Sequence, residues 1–386
     1  MIEMLVAQTL EPDEPELAVR DILAQLGSNP GLRRNSAGII HCNDAFMESG
    51  VLRAICERLP FPTVGINTLL NSSSGGLTDS MLLTLSVLTS DLCSFAAGLS
   101  GSMAEEVAGP AARLYIETEN LLERRPCLGL VFIPNHCRQA IGELMVQALD
   151  LASDGVPFFG TAAADYTTAF RNPKVIFNGE SFADRASMIL VEGPVEPRFQ
   201  VYPVSLAKSI RQKAIITDAR ENVILQVNGM PAMDFLESLG LCQGGQILGV
   251  NAIPLSIDRS DGSDPVFRAI VDRTPEGGIV IGGLAPPGAM LGFGSMDQEH
   301  ILGGVRLLSS RSGLPSRGPL LVYSCLSRNI VLGFNYTFEA DHLKAGLERR
   351  RPYSFAYSAG EICPVPVRGG RWRNAFHNMS LVAASV

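Results

Sequence analysis

The segment YSAGEICP, residues 357–364, brings one acid together with two hydroxyl groups and a glycine. Tyr357 and Ser358 supply the hydroxyls. Gly360 permits a bend of the backbone, and Glu361 follows it directly. A carboxylate that leaves water needs hydrogen bonds or a cationic partner. The segment therefore predicts either an acid that faces a ligand cleft or a structural brace, and both interpretations stay open.

The segment YSCLSRN, residues 323–329, is a second place where chemistry is possible. Cys325 ends a predicted buried strand, and Arg328 lies in the loop that follows it. The planar fork of donors on a guanidinium matches a carboxylate, so Arg328 suits either a ligand carboxylate or Glu361. Cys325 is either a small buried side chain or a reactive or ligating thiol.

The segment NVILQVNGMPAMDFL, residues 222–236, predicts a strand, a turn and a helix in direct succession. Asn228 and Gly229 tolerate the positive φ of a tight turn, and Pro231 suits a first helical turn. Two interpretations of Asn228 stay open. It either serves only the turn, or it joins the helix N-terminus in presenting donors to an anionic ligand.

Ten short runs rich in β-branched residues predict strands, and they alternate with segments whose apolar residues recur with the period of a helix. We therefore expect a fold of both strands and helices to position the residues above. Helices are predicted over 15–26, over 138–152 and from Pro231. The pattern predicts an α/β (mixed α+β) fold, with two lobes of mixed β-sheets covered by helices. A polar stretch at 205–215 divides the lobes, which gives predicted domains at 1–210 and 211–386.

Composition excludes several classes of protein. The 386 residues carry a net charge of −8 and show no basic stripe, which argues against nucleic-acid binding. The most apolar stretch, 81–104, is interrupted by Asp91 and by glycines, so no membrane span is predicted. The N-terminus has acids where a signal peptide has basic residues, and we expect a cytoplasmic protein.

Enzyme signatures are missing from the sequence. It contains no phosphate-binding loop, no dinucleotide fingerprint, no zinc-protease helix and no nucleophile elbow. The eight cysteines form no C-x-x-C pair, and no two of the five histidines are spaced to share a metal. We therefore expect a protein that is not an enzyme, with no catalytic residues.

Several phrases, taken in order, resemble the landmarks of the FIST sensory family. The C-terminal phrases are ITDARENVILQVNGMPAMDFLESLG (216–240), PLLVYSCLSRNIVLG (319–333), FAYSAGEICPV (355–365) and FHNMSLVA (376–383). The N-terminal half is similar over 62–76 and 157–180, although NTLLN at 67–71 departs from the family pattern.

The resemblance implies a bacterial ligand-sensing module of signal transduction. It implies a small-molecule ligand, with an amino acid as the usual suggestion, so that Glu361 would receive an ammonium group and Arg328 a carboxylate. It also leaves open a haem-binding nitric oxide sensor that acts on a histidine kinase, or on a diguanylate cyclase or phosphodiesterase. In that alternative Arg328 would bind a haem propionate.

A haem would need an axial ligand, normally an imidazole or a thiolate. His136 follows the predicted strand LGLVFIP, residues 128–134, in the kind of loop where sites on mixed sheets lie. It is the candidate iron ligand if a haem is bound. The cofactor itself stays unknown at this point.

Overall fold

A computed structural model describes residues 2–28, 31–135, 140–165, 171–206, 214–243, 245–248, 252–260, 264–310, 314, 318–333, 335–347, 351–367 and 371–386. Within these ranges every helix is too short or too polar to cross a lipid bilayer. The described chain combines helices with strands in several mixed sheets, which confirms the predicted mixed α+β fold.

The first stretch of chain forms β1 (Glu3–Thr9), α1 (Pro15–Gly27), β2 (Asn35–Cys42), α2 (Asp44–Glu48), α3 (Val51–Cys56), β3 (Thr63–Asn67), β4 (Asn71–Ser73), β5 (Thr78–Asp79) and β6 (Leu83–Ser90). The predicted helix over 15–26 is confirmed, since α1 begins at Pro15 and buries Ala18, Ile22 and Leu26.

The second stretch forms β7 (Ser94–Leu99), α4 (Ala108–Glu119), β8 (Leu128–Ile133), α5 (Ile141–Ser153), β9 (Phe158–Ala162), β10 (Val175–Phe177), β11 (Glu180–Phe182) and β12 (Ser187–Glu192). It is followed by β13 (Arg198–Tyr202). The predicted helix over 138–152 corresponds to α5.

A separate nine-stranded sheet follows β13. The elements of this part of the chain are β14 (Ser205–Leu206), β15 (Ala214–Arg220), β16 (Val223–Val227), β17 (Met230–Pro231), α6 (Ala232–Ser238), β18 (Cys242–Gln243), β19 (Gln246–Ile247), β20 (Leu255–Asp258), β21 (Val266–Arg268), β22 (Ile270–Arg273), β23 (Ile279–Ile281) and β24 (Met290–Ser295). The short pair β18–β19 lies outside that sheet. We call this unit the inserted sheet, and it has a core of its own.

The third stretch forms α7 (Gln298–Ser309), β25 (Leu320–Cys325), α8 (Leu326–Val331), α9 (Phe338–Leu347), β26 (Tyr353–Ser358), β27 (Glu361–Ile362), β28 (Val365–Val367), β29 (Arg371–Arg373), β30 (Phe376–His377) and β31 (Leu381–Ser385). Here α8 begins directly after β25, so no loop separates strand and helix.

Three six-stranded sheets share one strand order. Their orders are β1-β6-β2-β3-β10-β11, β7-β12-β8-β9-β27-β30 and β13-β31-β25-β26-β4-β5. Each contains one parallel pair joined by a helical crossover, namely β2–β3, β8–β9 and β25–β26. The body of the protein is therefore a three-fold repeat, and the inserted sheet interrupts its third copy between β13 and α7.

The three copies exchange two strands each in a cycle, and the strand that follows the exchanged pair stays in its own sheet. The pair β4–β5 of the first copy joins the third sheet, β10–β11 of the second joins the first, and β27 with β30 of the third joins the second. Each sheet thus depends on a hairpin from another copy. Strands from both sides of residue 210 pair in two of these sheets, and the division into domains 1–210 and 211–386 stays a prediction.

Three rings from equivalent strand positions meet where the sheets converge. The ring centroids of His41 and Phe132 are 6.4 Å apart, those of His41 and Tyr323 5.6 Å, and those of Phe132 and Tyr323 6.3 Å, all edge to face. An apolar core surrounds them, while helices cover the outer faces of the sheets. This core fixes the ends of β25 and β26, where the predicted site residues Cys325, Tyr357 and Ser358 lie.

Candidate functional site

The parallel pair β25–β26 separates the predicted site residues onto two sides. Ser324 is paired with Tyr357, and Cys325 with Ser358. Successive side chains of a strand point to opposite faces. Tyr357 therefore packs in the core between the third sheet and its helices, whereas Ser358 faces Glu361 on the interior side.

The side that faces α9 holds a buried ion pair between Arg328 and Glu339. The Nη2 and Nε atoms of Arg328 lie 2.7 and 3.0 Å from Oε1 of Glu339, and Nη2 also donates to the carbonyl of Ile301 at 3.2 Å. The hydroxyl of Ser324 donates to Oε2 of Glu339 at 2.8 Å. Both charges are therefore neutralised and hydrogen-bonded, as buried ions must be.

The interior side holds Glu361, which is fully buried. The hydroxyl of Ser358 donates to its Oε1 and the hydroxyl of Ser380 to its Oε2, each at 2.7 Å. Burial raises the pKa of Glu361 to about 8, although these hydrogen bonds and the more distant Arg328 oppose the rise. The equivalent positions in the other two sheets hold Asn71 and Val175, so this acid belongs to one corner of the three-fold body.

A pH-dependent loss of stability is expected from Glu361. Between its ordinary pKa of 4.5 and its folded pKa of about 8, the folded chain binds a proton that the unfolded chain releases, so stability falls as pH rises. The lowered pKa values of His41 and His377 act in the opposite direction, but only below 6.5. Between pH 6.5 and 8 we expect Glu361 to contribute a loss of about 1.4 kcal/mol per pH unit.

Glu361→Gln should remove that slope, because an amide stays neutral and still reaches both serines. Urea unfolding of both chains at pH 6.5 and at pH 8 measures it. An equal slope in the two chains would show that Glu361 is ionised in the folded protein.

A cavity of about 70 Å³ lies beside Glu361, where α5, α8 and the inserted sheet meet. Apolar side chains form most of its wall, including Ile141, Ile281 and Phe376. Its described polar lining consists of Asn135, Cys325, Ser327 and Asn378. A mostly apolar recess with a few convergent polar groups is the usual form of a small-ligand site.

Asn378 is the most informative residue of this wall. Its side chain is 5% exposed, and its Oδ1 has no hydrogen-bond partner among the described residues. Gly282 and Gly360 leave room for it: a Cβ atom at Gly282 would lie 2.6 Å from Oδ1, and one at Gly360 2.9 Å from Nδ2. Gly360 also has a φ of +148°, which a larger residue rarely adopts. The two glycines therefore make room for the amide group of Asn378 in the cavity wall.

An open groove of about 460 Å³ lies at α7, next to β13, and its lining includes Tyr202, Asp297, His300, Gly304 and Arg328. Most of its polar side chains are already engaged, the exposed Glu299 excepted. Arg328 binds Glu339, the side chain of Asp297 accepts from the amide of His300, and the His300 ring lies 2.9 Å from the Ser205 hydroxyl. The smaller cavity is therefore the better candidate for a ligand site.

Comparison with known families assigns most of the chain. Residues 36–230 match the FIST N domain and residues 232–364 match the FIST C domain. The chain belongs to the FIST family. FIST domains are small-ligand sensory domains of signal transduction, so a ligand site is expected in a FIST protein.

Other comparisons of this FIST protein are less informative. A search of curated proteins by sequence returned no match. The solved structure of a cyanuric acid hydrolase from A. caulinodans is similar over 100% of this chain and 99% of its own, at 9% identity and a TM-score of 0.38.

The structure brings only part of the predicted site together. Ser358 and Glu361 contact each other, and Cys325 lines the cavity beside them. Burial raises the pKa of the Cys325 thiol to about 12, with nearby Glu361 acting in the same direction, which keeps the thiol protonated. Of the two pairings considered for Arg328, the one with Glu361 does not form, because α9 supplies Glu339 instead.

Two further predicted residues stand apart from the cavity. Asn228 lies in an exposed turn at a φ of +53°, where its Oδ1 accepts from the amide of Ile215 at 2.9 Å. Tyr357 is fully buried next to Phe355, and burial raises its pKa well above the usual value. His136 lies outside the described residues, although the preceding residue, Asn135, lines the cavity.

The described walls of the cavity do not suit a haem. A porphyrin is several times larger than the space, and no described histidine lines it. His41 is buried in the central core, and His377 lies 2.9 Å from the carbonyl of Cys363, which fixes its ring. Within the described chain no cluster of metal-ligating side chains occurs either.

Sequence reasoning missed a second buried ion pair behind the cavity. Nη2 of Arg268, in the inserted sheet, lies 2.8 Å from Oε1 of Glu143 on α5, and Arg259 binds the same carboxylate. Burial opposes ionisation, but the two guanidinium groups hold the pKa of Glu143 below its ordinary value. The sequence did contain a sign of this pair, because Glu143 lies on the apolar face of the predicted helix 138–152. It contained no comparable sign that Asn378 would line a cavity.

Proposed function

We propose that this FIST protein is a non-enzymatic sensor whose small ligand occupies the cavity beside α8. The observation that carries the proposal is the buried side chain of Asn378 in the wall of this cavity, because its Oδ1 has no hydrogen-bond partner among the described residues. Buried polar atoms nearly always have a partner, and an exception at a cavity points to a bound molecule. Family membership supports a sensory role for that molecule.

The short helix α8 provides a physical route from ligand to signalling partner. Leu326 and Ser327, in its first turn, line the cavity, and Arg328 of the next position lines the groove on the opposite side. A ligand that shifts α8 would disturb the pairing of Arg328 with Glu339 and thereby the surface at α7. We propose a histidine kinase, a diguanylate cyclase or a phosphodiesterase as the partner that responds.

A thermal-shift screen of metabolites tests the site. A ligand selective for the folded state stabilises it by about 2.7 kcal/mol at a hundredfold excess over its Kd. Ala269→Phe supplies the control, because Ala269 is a half-buried wall residue and a phenyl ring there would fill the cavity. We expect compounds that raise the Tm of the native chain and leave the variant unchanged. Compounds that stabilise both chains equally would contradict the site.

An absorption spectrum of the purified protein separates this proposal from the haem alternative. The non-haem sensor has no Soret band after gel filtration. A Soret band that persists there and disappears in His136→Ala would favour the haem-binding nitric oxide sensor instead.

A further inference from the structure

The cavity wall carries no formal charge in the described residues. Its polar members are two asparagines, one serine and one cysteine, and all its other members are apolar residues or glycine. The charged groups nearby already have ionic partners: Arg328 pairs with Glu339 on one side, and Glu143 binds both Arg268 and Arg259 on another. Moving an ion into such a space without a counter-charge is strongly unfavourable.

The hydrogen-bonding groups that this wall offers a ligand are those of an amide, namely one carbonyl oxygen that accepts and one N–H group that donates. The Oδ1 of Asn378 needs a donor, and the Nδ2 of the same side chain offers one. The hydroxyl of Ser327 hydrogen-bonds to the sulfur of Cys325, and the thiol of Cys325 is only a weak donor. A ligand that carries both an N–H donor and a carbonyl acceptor would match this edge in the way that one amide pairs with another.

Volume sets a second limit on the ligand. About 70 Å³ accommodates only a few non-hydrogen atoms, and the apolar side chains of Ile141, Ile281 and Phe376 enclose them. A side chain or a ring system would have to extend beyond the described wall. The group recognised inside is therefore small.

We propose that the cavity recognises a small uncharged amide- or urea-type group through Asn378, in preference to a carboxylate, an ammonium or a zwitterion. This inference rests on the proposed function, because it assigns the ligand class of the same site. It differs from a site in which Arg328 and Glu361 bind the charged ends of an amino acid. Arg328 is bound to Glu339, and both oxygens of Glu361 accept from serines.

Three probes of nearly equal size and different charge test the ligand class. Acetamide is neutral, acetate is anionic and acetamidinium is cationic. Each is titrated into the full chain labelled with ¹⁵N-asparagine, and the side-chain amide resonance of Asn378 is followed. We expect acetamide to shift that resonance at a concentration at least about tenfold lower than either ion, because the ions lose their hydration without gaining a counter-charge.

The outcomes separate the ligand class from the site. If acetate or acetamidinium binds at Asn378 as tightly as acetamide, the inferred class is wrong while the cavity remains a binding site. If none of the probes shifts the Asn378 resonance, both the inferred class and the proposed site are wrong. The comparison uses the native chain and does not depend on a variant that folds.

A variant that changes the charge at position 378 tests whether this residue determines the ligand class. Asn378→Asp keeps the size of the side chain and places an ionisable oxygen at the wall, so the preference should move from acetamide to acetamidinium. Asn120→Asp is the matched control, because Asn120 is exposed at the end of α4 and changes only the net charge. An unchanged preference in the Asn378 variant, read from the resonance of Asn135 in the cavity wall, would overturn the role of Asn378.

Discussion

Glu339→Leu should lower the free energy of unfolding by about 3–5 kcal/mol. The Arg328 guanidinium is 3% exposed and donates twice to this carboxylate, so the variant leaves a buried cation without a counter-charge. The hydroxyl of Ser324 loses its acceptor as well. Urea denaturation at pH 7 measures the change.

The double variant Arg328→Met with Glu339→Leu separates charge from packing. Both ions are then absent, and we expect the pair of changes to recover most of the stability that Glu339→Leu loses. Glu180→Leu serves as the exposed control. Its pair with Arg53 lies at 3.4 Å with both side chains more than half exposed, and it should change stability by less than about 1 kcal/mol. Equal losses for Glu180→Leu and Glu339→Leu would mean that the Arg328 pair is open to solvent.

Gly160→Ala should be at least as disruptive, with an expected loss above about 4 kcal/mol. Gly160 lies on β9, and a Cβ atom there would overlap the backbone carbonyl of Val131 on the adjacent parallel strand. Backbone cannot rotate away as a side chain can, so β8 and β9 would have to separate. The same overlap occurs at Gly65 with Ile40, the equivalent position of the first sheet.

Gly303→Ala is the control for the added methyl group. Gly303 lies in α7, and its Cβ would meet no atom within 4 Å. Alanine is the better helix former, so this variant should be unchanged or more stable by up to about 1 kcal/mol. Thermal unfolding of both variants beside the native chain measures the contrast. A native Tm for Gly160→Ala would show that the two strands are not held at this spacing.

The local chemistry of the site could be predicted from the sequence, because neighbouring residues determine it. The bend at Gly360 and the buried acid after it were expected from YSAGEICP, and the serine partner at 358 came from the same segment. Tyr357 and Ser358 were both predicted to be site residues because they are neighbours in the sequence. Successive side chains of a strand point to opposite faces, so the sequence could already have placed these two on different sides of the sheet.

Long-range partners could not be predicted in the same way. Arg328 had several acids within reach of a flexible chain, and only the packing of α9 selects Glu339. The three-fold repeat could not be recognised in the sequence either, because equivalent positions of its copies hold different residue types. One such position holds a histidine, a phenylalanine and a tyrosine. The inserted sheet then separates β13 from the rest of the third copy. The cavity combines residues from 135 to 378 and exists only in the folded chain.

The most direct test of the proposed site is a crystal structure of the protein soaked with a compound from the metabolite screen. We expect density for that compound in the cavity beside α8, with an N–H group within about 3 Å of Oδ1 of Asn378. Density for the compound in the groove at α7, with the cavity closed by its own side chains, would contradict it.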